Sequence, residues 1–131
     1  MCDWFGPTDL LRMGEQAGPN SRLDHNAPDS PESRLVGGPV QERRAAAERA
    51  NPIRYVTKDD PPFLIVHGDK DHTVPVGQSQ ELHAALQKAG VDSSLMIIPG
   101  AGHGPEILTP ETLRAVVTFF DEHLKRGAAA R

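Results

Sequence analysis

The sequence predicts an α/β fold, a parallel sheet with flanking helices, on three observations. Phe63-Leu64-Ile65-Val66 is apolar without alternation, the pattern of a strand buried on both faces in the middle of a parallel sheet. Ser94 to Ile98 (SLMII) is a second apolar run, stopped by Pro99-Gly100. Between and after these runs lie helix-forming stretches. Strand, helix, strand, helix at such lengths implies a right-handed crossover and a parallel strand pair.

In chain order, Asp3-Trp4-Phe5-Gly6-Pro7 reads as a strand end and turn, with Thr8 capping a short helix through Met13. The chain opens almost inside an element, which suggests a piece of something longer. From Gly14 to Pro39 the composition shifts to Gly, Pro, Asn, Ser, Asp and Arg, with little beyond Leu23, Leu35 and Val36 to bury. This reads as a long loop, a lid or a disordered excursion, the first place a protease would cut. Gln41 to Arg49 forms a helix ended by Asn51-Pro52. Ile53 to Thr57 is a short extended approach to the central strand.

The next helix, about Val76 to Ala89, stripes Leu82, Ala85, Leu86 and Ala89 and stops at Gly90. Thr109-Pro110-Glu111 has the cap, the first-turn proline and the acidic residue of a helix start. That last helix runs to about Lys125, burying Leu113, Val116, Val117, Phe120 and Leu124, and Gly127 to Arg131 is a frayed tail.

Composition narrows the function. A net charge of -4 with no basic run or face argues against nucleic acid as a partner. No apolar run approaches the ~18 residues of a membrane span, and no secretory signal pattern is visible. The single cysteine, Cys2, can make neither an internal disulfide nor a cysteine metal site. The default location is cytoplasmic, although a secreted parent with an upstream signal would read the same.

The loops that follow the two strands open on one edge of the sheet, where ligands of such folds bind. Asp69, Asp71 and His72 lie in the first loop and His103 in the second. A carboxylate that accepts a hydrogen bond from one imidazole nitrogen fixes the tautomer and leaves the other nitrogen as a base. Pro99-Gly100-Ala101-Gly102-His103-Gly104 supplies the tight turn that lets such a histidine reach the site. Read alone, the same turn could merely carry a solvated histidine.

HGDKDHTVP at 67–75, a helix, SLMIIPGAGHG at 94–104 and a closing helix resemble the C-terminal part of an α/β-hydrolase. The likeness is to microbial carboxylesterases and lipase/esterase or feruloyl-esterase-like enzymes. WFGPTDL at 4–10 is similar to the segment upstream of their lid. The resemblance implies a serine esterase of small esters, with short acyl groups the expectation from a polar lid and few aromatics. It implies no cofactor and no metal. Asp71 matches the triad acid and His103 the base, with Asp69 the rival acid and His67 and His72 structural. That family carries its serine in a G-x-S-x-G elbow, which the sequence lacks. Ser21, Ser30, Ser33, Ser79, Ser93 and Ser94 all miss the flanking glycines. Two of three triad members cannot perform covalent acyl transfer alone.

Other readings remain open at this level. Asp69-Lys70-Asp71-His72-Thr73 spells D-x-D-x-T, as in magnesium-dependent phosphatases, but His67-Gly68 separates it from the strand and no later acidic pair follows. A zinc site from Asp71, His72 and His103 fits no usual ligand spacing. A non-catalytic, truncated chain that pairs with another copy, or with a missing N-terminal half, through an exposed sheet edge is the third.

Overall fold

A computed structural model of the chain describes residues 1–125; the frayed tail expected from Gly127 onward lies outside the described residues. Three strands, β1 (Cys2–Trp4), β2 (Phe63–Gly68) and β3 (Ser93–Ile98), form one sheet in that order. All are parallel, with Cys2 opposite Leu64 and Phe63 through Gly68 opposite Ser93 through Ile98. The parallel pair expected from the crossover spacing is therefore present.

The absence of alternation in β2 follows from its position. Leu64 and Val66 point to one face, where Ala101, Ile107, Ala115, Val116 and Phe119 cover them. Ile65 points to the other, against Leu82, Leu86 and Val91. Ile65 and Val66 are fully inaccessible. The connecting helix, α4 (Gly77–Ala89), ends as expected, with the Gly90 N–H returning to Leu86 and Gln87 carbonyls.

The closing helix, α5 (Pro110–Lys125), starts where expected, with Thr109 Oγ1 accepting the Thr112 N–H at 3.1 Å. Its buried face differs from the expectation. Thr112, Ala115, Val116 and Phe119 meet the sheet, while Leu113, Val117, Phe120 and Leu124 lie exposed. The helix carries two apolar stripes, and composition alone does not say which one the sheet takes.

The amino-terminal half corrects several details. Asp9, not Thr8, caps α1 (Leu10–Gln16), its Oδ1 accepting the Leu11 N–H. Thr8 instead binds the buried Gln78 side chain of α4. The helix expected from Gln41 begins later, as α3 (Arg44–Ala50), because a turn bonded back to Pro39 precedes it. Pro52–Tyr55 is a short 3₁₀ turn rather than an extended approach, started by Asn51 Oδ1 on the Ile53 N–H.

The polar stretch 14–39 is not a bare loop. It contains a further helix, α2 (Pro31–Val36), and buries His25, Ser30, Glu32 and Ser33. Its Arg22 N–H binds the His72 carbonyl at 2.8 Å, which ties the stretch to the acidic turn. No helix among the described residues is long and apolar enough to cross a membrane.

Candidate active site

Asp71 and His103 meet at the carboxyl ends of β2 and β3, with His103 Nδ1 at 2.7 Å from Asp71 Oδ2. Two features of the backbone bring them there. Gly68 ends β2 where a Cβ would lie 2.2 Å from the Ala101 carbonyl oxygen, so only glycine admits the second loop this close. Gly100, at φ +77°, turns that loop and donates its N–H to Asp69 Oδ1 at 2.6 Å. Asp69 thereby braces the two loops against each other and does not face His103.

The Asp71 side chain is wholly buried and both of its oxygens are hydrogen-bonded. Oδ1 accepts the N–H groups of Thr73 and Val74, both at 2.8 Å. Oδ2 accepts from His103 and, at 3.3 Å, faces Nε2 of His67. With these donors facing it, the carboxylate is held in one orientation. His103 keeps 31% of its side chain exposed. Because Nδ1 is spent on Asp71, Nε2 is the nitrogen left for a reactant, and it has no hydrogen-bond partner among the described residues.

His67 sits behind this pair with no accessible surface. Its Nε2 lies 2.9 Å from the Val74 carbonyl, which can only accept, so that nitrogen carries the proton. Nδ1 then accepts the Ser79 hydroxyl at 2.6 Å. Burial lowers the pKa of His67, holding the ring neutral despite the carboxylates of Asp71 and Asp3 nearby. Ser79, His67 and Asp71 thus line up as a serine–histidine–carboxylate array that no substrate can enter.

Of the remaining serines, Ser94 lies on β3 opposite Leu64 and the other four are hydrogen-bonded elsewhere. Ser30 and Ser33 are buried in the cap of α2, Ser93 pairs with His83, and Ser21 bonds the Leu23 carbonyl. No serine hydroxyl among the described residues reaches His103. His72 contributes its backbone carbonyl to the Arg22 contact and lines an open cleft of about 400 Å³ with Gln16, Ser21, Asp71, Val76 and Gln80.

Two residues near the pair escaped the sequence reading. Asp3, on β1, is largely buried, and burial raises its pKa although His67 and the Gly6 and Trp4 N–H groups favour the charged form. Its Oδ2 has no partner. Phe5 lays its ring against His103 at a centroid distance of 4.2 Å. A charged residue inside the apparent strand Cys2–Trp4 was the signal available for Asp3. Phe5 had none, because its place depends on the β1–β2 pairing.

A parallel sheet with helices on both faces and a histidine–carboxylate pair on the loops beyond its carboxyl edge is the architecture of an α/β-hydrolase. The BD-FAE family model matches residues 1–86, about two thirds of the chain, and the chain belongs to that family. Among curated proteins it is 34% identical over 88 residues to Esterase LipC of Mycobacterium tuberculosis, covering 63% of this chain and 22% of that protein. It is 43% identical over 67 residues to Esterase YjfP of Escherichia coli, covering 50% of this chain and 26% of that one.

A solved structure described as a truncated form of a carbohydrate esterase from gut microbiota superposes with a TM-score of 0.82 at 35% identity. That match covers 93% of this chain and 41% of the other. An acylaminoacyl peptidase of Pyrococcus horikoshii shares the fold at a TM-score of 0.71 and 20% identity. The chain spans less than half the length of these relatives.

Proposed function

We propose that this chain supplies the acid and base of a serine carboxylic-ester hydrolase, Asp71 and His103, acting on short acyl esters. The observation that carries the reading is the 2.7 Å contact between the buried Asp71 carboxylate and the half-exposed His103. Esterases among the relatives support the reaction class. In this scheme Asp71 holds the Nδ1 proton and orients the ring. Nε2 takes the proton of an attacking serine as its oxygen bonds the ester carbon. The imidazolium then returns that proton to the departing alkoxide, leaving an acyl-serine. Water, deprotonated by the same nitrogen, releases the acid and restores the serine.

In this reading the serine is supplied by a second polypeptide, such as the amino-terminal part of a related esterase. Ser79, a candidate by residue type, is bonded to His67 and buried, which disqualifies it as the nucleophile. The phosphatase alternative is weakened by the same geometry: Asp69 and both oxygens of Asp71 are engaged by N–H donors.

The test is turnover of a short nitrophenyl ester. The chain alone is expected to be nearly silent and to take no fluorophosphonate label. With the amino-terminal part of a related esterase added, activity is expected that needs both Asp71 and His103. A labelled serine in this chain, lost on His103→Ala, would contradict the reading. The exposed stripe Leu113, Val117, Phe120 and Leu124 on α5 favours a second reading, a non-catalytic chain that pairs with another copy. Silence after the two parts are shown to associate would select it.

A further inference from the structure

We propose that Phe5 is a positioning residue for His103, holding the imidazole plane so that the Nδ1 hydrogen bond to Asp71 persists and Nε2 faces the reactant; this rests on the assignment of Asp71 and His103 above. Phe5 is the one non-glycine residue among those described with positive φ, at +45°. An L side chain is strained in that region. Glycine would adopt the same backbone freely, so the aromatic ring is what the position supplies. The conformation is imposed by the Phe5 N–H, which extends the β1–β2 ladder by binding the Val66 carbonyl at 2.9 Å.

The ring so placed meets both imidazoles that share Asp71. It lies against His103 at 4.2 Å with planes inclined by 45°, and stands edge-on to His67 at 6.3 Å and 76°. His103 needs such a wall. It rides on a loop with glycine at 100, 102 and 104 and is anchored by one hydrogen bond at Nδ1. A single hydrogen bond leaves rotation of the ring about that axis unrestrained, and a packed aromatic face removes it. Trp4, Pro105, Ile107 and Leu108 continue the wall away from His103 around an apolar hollow.

The experiment measures, on the whole chain labelled with ¹⁵N-histidine, the exchange of the His103 Nδ1 proton with water and the order of its ring. Phe5→Tyr is expected to match the wild type. Phe5→Leu, which keeps apolar bulk without the π face, and Phe5→Gly, which removes the ring and the backbone strain together, are expected to raise the exchange rate roughly two- to tenfold, the span of an aromatic contact of this kind. Protection of the Ile65 and Val66 amides, unchanged in Phe5→Leu, separates this effect from loosening of the sheet. Wild-type exchange in both the Leu and Gly variants would overturn the role of Phe5 alone, provided Asp71→Asn exposes the proton. If Asp71→Asn leaves the exchange unchanged, the histidine–carboxylate pair is itself refuted and the role of Phe5 falls with it.

Discussion

Two histidine–carboxylate hydrogen bonds stand among the described residues, and they differ in what surrounds them. In the loops beyond β2 and β3, Asp71 is buried with both oxygens satisfied, while His103 reaches solvent. In the 14–39 stretch, His25 Nδ1 meets Glu32 Oε1 at 3.0 Å, with only 1% and 9% of the side chains accessible. There His25 Nε2 and Glu32 Oε2 are left buried without partners. The first pair leaves a nitrogen free where a reactant can come. The second strands its free atoms in the interior, where they cost stability. Proximity of imidazole and carboxylate therefore marks a base only when the outer nitrogen is open and the carboxylate is otherwise satisfied.

The largest expected difference between the pairs is in catalysis. In the reconstituted esterase, His103→Ala is expected to lower kcat/KM by roughly 10⁴-fold, about 5.5 kcal/mol, whereas His25→Ala changes it only as far as it lowers the amount of folded protein. Equal losses from both, at equal folded fraction, would erase the distinction.

Stability is expected to rank the other way. Glu32→Ala leaves His25 buried without its partner and is expected to cost about 2 kcal/mol in urea unfolding. His25→Leu with Glu32→Met removes both stranded atoms and is expected to cost less than either single change. A double variant as damaging as the sum of His25→Leu and Glu32→Met would show that the two side chains act independently, with no coupling between them.

A smaller effect is expected from pH. His67 enters the fold neutral, with its pKa below the ordinary value because it is buried. The unfolded chain then binds the proton more readily. Stability is complete above the unfolded value, about pH 6.5, and declines as pH falls below it toward the lowered folded value. Asp3 acts in the opposite sense, since its raised pKa favours the protonated form in the fold. Asp3→Asn is accordingly expected to stabilise the chain at pH 7, by removing a charge that burial disfavours. It is also expected to steepen the acid loss, because the Asp3 contribution that grows on acidification is gone. Urea midpoints from pH 5 to 8 measure both.

The unequal legibility of the two regions has a physical basis. The Asp71–His103 geometry was readable because apolar runs fix strands, glycines fix turns, and crossover handedness puts both loops on one edge. The 14–39 region reads as a loop because its order rests on side-chain caps rather than apolar periodicity. Ser30 caps α2 through the Ser33 N–H, Pro31 opens the helix, and Ser33 Oγ donates to Ala27 and accepts the Val40 N–H. Ser30-Pro31-Glu32 is a helix-start signal of the same kind as Thr109-Pro110-Glu111. No long apolar stripe follows it, so periodicity does not mark this helix. At α5 two apolar stripes are present, and only packing decides between Phe119 and Phe120.

The central claim, that Asp71 holds His103 with Nε2 ready to accept a proton, is tested most directly by the tautomer of His103. Long-range ¹H–¹⁵N correlation at a pH where the ring is neutral is expected to show the proton on Nδ1 and a bare Nε2, with this preference lost in Asp71→Asn. A wild-type ring protonated on Nε2, or a preference indifferent to Asp71→Asn, would contradict it.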